Sequence, residues 1–207
     1  MVKKYTKSQI DAINCISQNL QLIACAGSGK TEIVSRRAVN ILKSVSGIKP
    51  ENIVAFTFTE KAAEELKSRI YEKVAEEVGE VFGLAEMYVG TIHSFCLSIL
   101  QDYVSDYQKF TVLDEVKTKI FIDKNFNTVG MKHLNMEIFK DTNIYMALIE
   151  ILRESEIEKK RVPEHIQKAL DDYNTCFLEH NFFDYSMIME RAIYHLESDK
   201  SLRKRIV

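Results

Sequence analysis

The stretch Ala24-Cys25-Ala26-Gly27-Ser28-Gly29-Lys30-Thr31 constrains this chain more than any other. A short apolar run, Leu20 to Ala24, leads into it, and Ile33, Val34, Ala38, Ile41 and Leu42 follow at helical spacing, so the pattern predicts strand, glycine loop, helix. It reads as a phosphate-binding loop whose first glycine is replaced by Ala24. Gly27 and Gly29 let the backbone curl until successive N–H groups face one anion, and the helix behind adds the positive end of its dipole. Lys30 is then placed to neutralise β and γ phosphate oxygens, and the Thr31 hydroxyl to take one position around Mg²⁺. The bland alternative, a glycine turn that only starts a helix, is disfavoured by the strand and helix on either side.

The same alternation continues downstream. Ile53-Val54-Ala55-Phe56-Thr57-Phe58 is nearly continuously apolar and β-prone, as a parallel strand covered on both faces must be. It feeds a helix carrying Ala62, Ala63, Leu66, Ile70 and Val74 on one face, and a third strand is expected over Met87 to Gly90. Upstream, Thr6-Lys7-Ser8-Gln9 has capping-box spacing, which starts a helix near Lys7 that should run to Gln18-Asn19. The fold class is therefore α/β: a parallel RecA-like layer, present as its N-terminal part over residues 1–106, with strand-to-helix loops gathered at one edge. Residues 107–207 read as a mostly helical inserted subdomain, opened by a short strand at Phe110-Thr111-Val112-Leu113 and holding one Pro and one Gly between Asp114 and Ser198.

Charge limits the partners. With 28 Lys and Arg against 30 Asp and Glu, the net charge of −2 lacks the footprint of a nucleic-acid-coating protein, so any nucleic-acid contact must be local. Cys15, Cys25, Cys96 and Cys176 form no C-x-x-C pair, and the five histidines show no ligand spacing, which argues against both a disulfide framework and zinc. The polar start at Met1 to Tyr5 and the lack of a long apolar run predict a cytoplasmic protein without a membrane partner. Glu154 to Arg161 and Lys200 to Arg205 read as solvated helix faces.

The loop, in the form A-x-x-G-x-G-K-T, stands between Gln9 and Thr57-Phe58-Thr59-Glu60-Lys61-Ala62-Ala63, and Gly90-Thr91-Ile92-His93-Ser94-Phe95 comes next. In this order the motifs resemble those of the UvrD/Rep helicases, and Asp184-Tyr185-Ser186-Met187-Ile188 is similar to the D-F-x-D-L segment of the same family. The resemblance implies a superfamily 1 DNA helicase that uses ATP and Mg²⁺ and moves on single-stranded DNA. It implies that the Gln9 amide reads the adenine edge, although a capping glutamine would look the same in sequence. It also implies that Thr57, Phe58 and Thr59 contact single-stranded DNA, with Phe58 stacking on a base, the alternative being a Phe58 buried in the core. Thr91, His93 and Ser94 would form the other strand-contacting element, offering neutral donors. Two positions depart from the family: Glu32 stands where an arginine often contacts nucleotide, and Glu60 replaces the usual asparagine, a form closer to the AddA and RecB branch.

The family also needs an Asp-Glu pair for metal and attacking water, and arginines from a second RecA-like domain. Leu113-Asp114-Glu115 sits where the helical subdomain begins, so Asp114 is expected to cap a helix. The expectation is of an N-terminal helicase fragment whose acidic motif and remaining helicase domains lie outside these 207 residues, and which hydrolyses little ATP alone. Two other readings are a self-contained P-loop kinase or switch, which the second and third motifs argue against, and a non-catalytic nucleotide-binding interaction module.

Overall fold

The computed structural model describes residues 5–155 and 161–206. Met1 to Lys4 and most of the charged stretch after Glu154 lie outside the described residues. The chain forms two compact units, Met1–Ile92 and His93–Val207. It is helix-rich with short parallel strand pairs. Among the described residues no helix is long and apolar enough to cross a membrane.

In the first unit, α1 (Lys7–Asn14) opens with the expected capping box: Gln9 N donates to Thr6 Oγ1 and Thr6 N to Gln9 Oε1. It stops at Asn14 rather than near Gln18-Asn19 because α2 (Lys30–Ser44) takes its carbonyls. Arg37 Nη1 donates to Ala12 O at 3.1 Å and Asn40 Nδ2 to Ile13 O at 3.1 Å. Leu20 to Ala24, expected as a strand, forms none: no described strand lies beside it, so its backbone has no ladder to join, and Leu20, Leu22 and Ile23 are exposed.

β1 (Val54–Thr57) pairs in parallel with β2 (Tyr88–Thr91), in the register Val54 to Tyr88 through Thr57 to Thr91. Between them α3 (Glu60–Glu77) crosses over, capped by Thr59, whose Oγ1 accepts from Ala62 N. Leu66, Ile70 and Val74 of α3 pack with Ala38 and Val39 of α2 and with Ala55 and Val89 of the sheet. That covers one face. Val54 and Phe56 remain exposed on the other, so β1 is covered on a single face rather than on both.

The second unit begins within α4 (Ile92–Tyr103) and continues through α5 (Glu115–Lys124), α6 (Thr142–Glu154), α7 (Glu164–Glu179), α8 (Tyr185–Ser198) and α9 (Lys200–Ile206). The short strand near Phe110 exists as β3 (Thr111–Val112), and it pairs in parallel with β4 (Phe182–Phe183), which arrives after α7. Asp114 caps α5, its Oδ1 accepting from Lys117 N at 2.9 Å. The core is aromatic: Tyr173 stacks on Phe177 with centroids 4.3 Å apart, and Phe110 lies against Phe183 at 4.5 Å.

Gly130 holds one corner of that core. Its φ is +96°, and a Cβ there would lie 2.4 Å from Ala169 O and 2.9 Å from the Tyr145 hydroxyl, which itself donates to Val129 O and Ala169 O. Gly130→Ala therefore adds left-handed strain to a backbone clash. The expected loss is about 2–4 kcal/mol in urea denaturation, and an unchanged midpoint would contradict this packing.

Candidate nucleotide and DNA site

Gly27 (φ +74°) and Gly29 (φ +90°) give the loop its left-handed turns, and Gly29 hands the chain to α2. Cys25 O is the centre of the turn, accepting from Ser28 N at 3.3 Å and from Ser28 Oγ at 2.7 Å. Lys30 folds its ammonium onto the same loop, Nζ donating to Cys25 O at 2.7 Å and to Ala24 O at 3.0 Å. Ala24, Ala26, Gly27, Ser28 and Thr31 are all exposed, so the concave side of the loop and the first turn of α2 are open to a ligand. These residues fit a Mg²⁺-polyphosphate: Lys30 would exchange neutral carbonyls for charged oxygens, and the Thr31 hydroxyl would stand on the metal side.

Gln9 reaches this loop from α1. Its Nε2 donates to Ser28 O at 3.2 Å while its Oε1 is held by Thr6 N, so capping and loop contact occur together. The departure at Glu32 also has a structural role. Glu32 is buried, and its Oε1 accepts from Tyr5 Oη at 2.6 Å and pairs with Lys73 Nζ of α3 at 3.0 Å and Arg36 Nε at 3.3 Å. Arg36 in turn pairs with Glu77 and lies over the Tyr5 ring. Burial first, and then the Glu32 carboxylate, push the Tyr5 phenol above its ordinary range.

The T-F-T element lies at the end of β1 in the same unit. Phe58 is fully exposed rather than buried in the core. Thr57 Oγ1 donates to Thr59 O at 3.0 Å, and Thr59 caps α3, so the phenylalanine stands on a turn fixed from both sides. Thr91, opposite Thr57 in the sheet register, donates through Oγ1 to Glu60 Oε1 at 3.0 Å. Glu60 thus ties the start of α3 to the end of β2. A Cβ at Gly90 would lie 2.5 Å from the Tyr88 hydroxyl, which donates to Thr91 O, so that ring would have to shift.

His93 and Ser94 belong to the second unit. The His93 ring meets Tyr185 edge-on, with centroids 5.3 Å apart, beside a cavity of about 400 Å³ also lined by Leu113, Met146, Ile149 and Tyr173. The second unit also holds a buried charged network that the sequence analysis did not single out. The Arg153 side chain, almost wholly buried, donates to Asp184 Oδ2 at 2.7 Å and Ser186 Oγ at 2.9 Å, bonds Asn174, and stacks over Tyr173. Asp184 also accepts from the Tyr173 hydroxyl and caps α8 through Met187 N, both at 2.7 Å. Burial works to raise the Asp184 carboxyl, but the Arg153 charge and these hydrogen bonds together hold it below the usual carboxylate range. One signal was available: Arg153 falls on the same helical stripe as Thr142, Tyr145 and Ile149, which are all buried.

A glycine loop opening a helix, in one unit with a parallel strand pair and its crossover helix, is the arrangement of an α/β module. The sequence profile of the UvrD/REP helicase N-terminal domain matches residues 5–207, and the chain belongs to that family. It is 27% identical over 194 residues to an ATP-dependent DNA helicase PcrA of Staphylococcus epidermidis, covering 92% of this chain and 25% of that protein. A probable DNA helicase of Mycoplasma pneumoniae is 26% identical over 212 residues, 95% of this chain and 38% of its own length. An ATP-dependent helicase/nuclease protein of Pediococcus pentosaceus is 33% identical over 114 residues, 49% of this chain and 9% of its own length. The chain thus spans about a quarter of the length of the PcrA relative.

Proposed function

We propose that these residues form the nucleotide-binding and part of the DNA-binding surface of a UvrD/Rep-type helicase with a RecA-like motor core. ATP sits with its phosphates on the loop from Ala24 to Thr31, with Lys30 on the β and γ oxygens, Thr31 toward Mg²⁺ and the Gln9 amide toward adenine. Mg²⁺, held in part by the Thr31 hydroxyl, would supply neutralisation of the phosphate charge. Within the first unit single-stranded DNA lies on Thr57, Phe58, Thr59 and Thr91; His93 and Ser94, in the second unit, are by themselves neutral donors for DNA.

The observation that carries this reading is Phe58, an aromatic ring wholly in solvent at the end of a strand in the same unit as the loop. A bare aromatic costs solubility, and base stacking uses it without regard to sequence, as a motor on DNA requires. Asp114 and Glu115 do not supply the acidic pair of an ATPase, since Asp114 is the cap of α5.

Phe58→Ala is the direct test. Its affinity for oligo(dT), read by fluorescence anisotropy, should fall about 5- to 150-fold, matching the roughly 1–3 kcal/mol of one stacked base. ATP affinity in the absence of DNA should stay where it was. Equal DNA affinity in the variant and the unmodified chain would remove Phe58 from the DNA path.

A further inference from the structure

We infer that Glu32 is a positioning residue for base selection: through Tyr5 it pins the first turn of α1, and so fixes the Gln9 amide that reads the nucleotide base. The inference rests on the adenine contact proposed above for Gln9 and goes beyond it, because Glu32 itself touches no nucleotide in this arrangement.

Side-chain hydrogen bonds, more than apolar burial, hold α1 in place. It has eight residues, of which only Ala12 is buried, and a helix that short is marginal on its own. Its last turn is fixed by Arg37 and Asn40 of α2, which take the carbonyls of Ala12 and Ile13. Its first turn is fixed by the 2.6 Å hydrogen bond from Tyr5 Oη to Glu32 Oε1. Tyr5 directly precedes Thr6, the cap whose backbone N–H holds Gln9 Oε1. The path from Glu32 to the Gln9 carboxamide is therefore one side-chain hydrogen bond, one peptide bond and one capping bond.

Glu32 is itself immobilised. It is buried, and Lys73 from α3 and Arg36 from its own helix neutralise it. An anchored carboxylate accepting a phenol makes a short charge-assisted bond, a better pin than two neutral groups would give. Glu32 immediately follows Thr31, so the pin moves with the phosphate loop. The base reader and the phosphate cradle are thereby held in one frame. Gln9 Nε2 on Ser28 O, with a Gly29 Cβ position 3.5 Å from that nitrogen, closes the frame on the other side.

The test measures Mg²⁺-dependent affinities of the chain for ATP, GTP and inorganic tripolyphosphate by calorimetry, with tripolyphosphate reporting on the loop alone. Three variants are compared: Gln9→Ala, Tyr5→Phe, which keeps the ring, and Glu32→Met, which keeps the buried volume. Gln9→Ala should bring the ATP-to-GTP affinity ratio close to one. Tyr5→Phe and Glu32→Met should lower that ratio by roughly three- to tenfold, part of the worth of such a hydrogen bond because it acts on the base only through Gln9, with tripolyphosphate affinity changed less than about twofold. General destabilisation would not move a ratio between two purines, and Tyr5→Phe leaves the buried charges in place should Glu32→Met melt early. A ratio lost in Gln9→Ala but kept in Tyr5→Phe and Glu32→Met would overturn the inference while leaving the Gln9 contact standing. A fall in tripolyphosphate affinity parallel to ATP would also overturn it, placing the effect in the loop. A ratio unmoved by Gln9→Ala would remove the base reading itself, and the inference with it.

Discussion

Lys30→Ala is expected to lower the affinity of the chain for ATP-Mg²⁺ by about 10²–10³-fold, the equivalent of the ~3–4 kcal/mol contributed by one charged donor aimed at an anion. The Lys30 ammonium rests on two neutral carbonyls, Cys25 O at 2.7 Å and Ala24 O at 3.0 Å. A triphosphate offers ionised acceptors at the mouth of the same loop, and such bonds are about twice as strong as neutral ones. The exchange therefore favours nucleotide, and alanine removes it entirely. The fold should not suffer, because Lys30 is exposed and its substitution buries nothing. Calorimetric titration reads the effect, with thermal melting as the control. Retention of ATP affinity within about threefold would contradict the assignment of the loop.

Arg153→Ala should have the largest effect on stability. It removes a cation that is almost wholly buried and leaves Asp184, also buried, facing only hydroxyl and amide donors. Breaking one side of a buried pair costs about 3–5 kcal/mol, a large share of the roughly 5–15 kcal/mol that holds a typical domain together. The loss is expected as a lower urea midpoint followed by far-UV circular dichroism, since the chain has no tryptophan. Acid should act on the same network. The folded Asp184 carboxyl titrates below its ordinary value of 3.8, so its contribution is complete above that pH and disappears as pH falls through the folded value. Asp184→Asn should flatten that part of the acid dependence. Stability of Arg153→Ala within about 0.5 kcal/mol of the unmodified chain would contradict the network.

The parts of this fold that were legible in the sequence are those written locally. The glycine loop with its helix, the β1–α3–β2 succession and the capping residues Thr6 and Asp114 each depend on neighbours a few positions away. The missing strand at Leu20 to Ala24 shows the limit: an apolar run marks a capacity for pairing, and pairing needs a neighbour that local pattern does not supply. β4 was hidden for the converse reason. Two residues, Phe182 and Phe183, show no periodicity of their own, and their partner β3 lies far back in the chain. Arg153 escapes notice because a charge within a polar stretch suggests solvent, although its helical phase matches the buried stripe. At the candidate site the motif positions could be read off directly, whereas the role of Glu32 as a buried acceptor for Tyr5, Lys73 and Arg36 emerges only when three helices are packed together.

The most direct test of the helicase reading is a titration of the purified chain with ATP-Mg²⁺, with and without oligo(dT), carried out in parallel on Lys30→Ala and Phe58→Ala. Saturable ATP binding is expected, strongly weakened by Lys30→Ala and shifted by oligo(dT), with the shift lost in Phe58→Ala although ATP binding remains. ATP binding or turnover that ignores DNA in every variant would contradict the helicase reading and favour a self-contained P-loop kinase or switch.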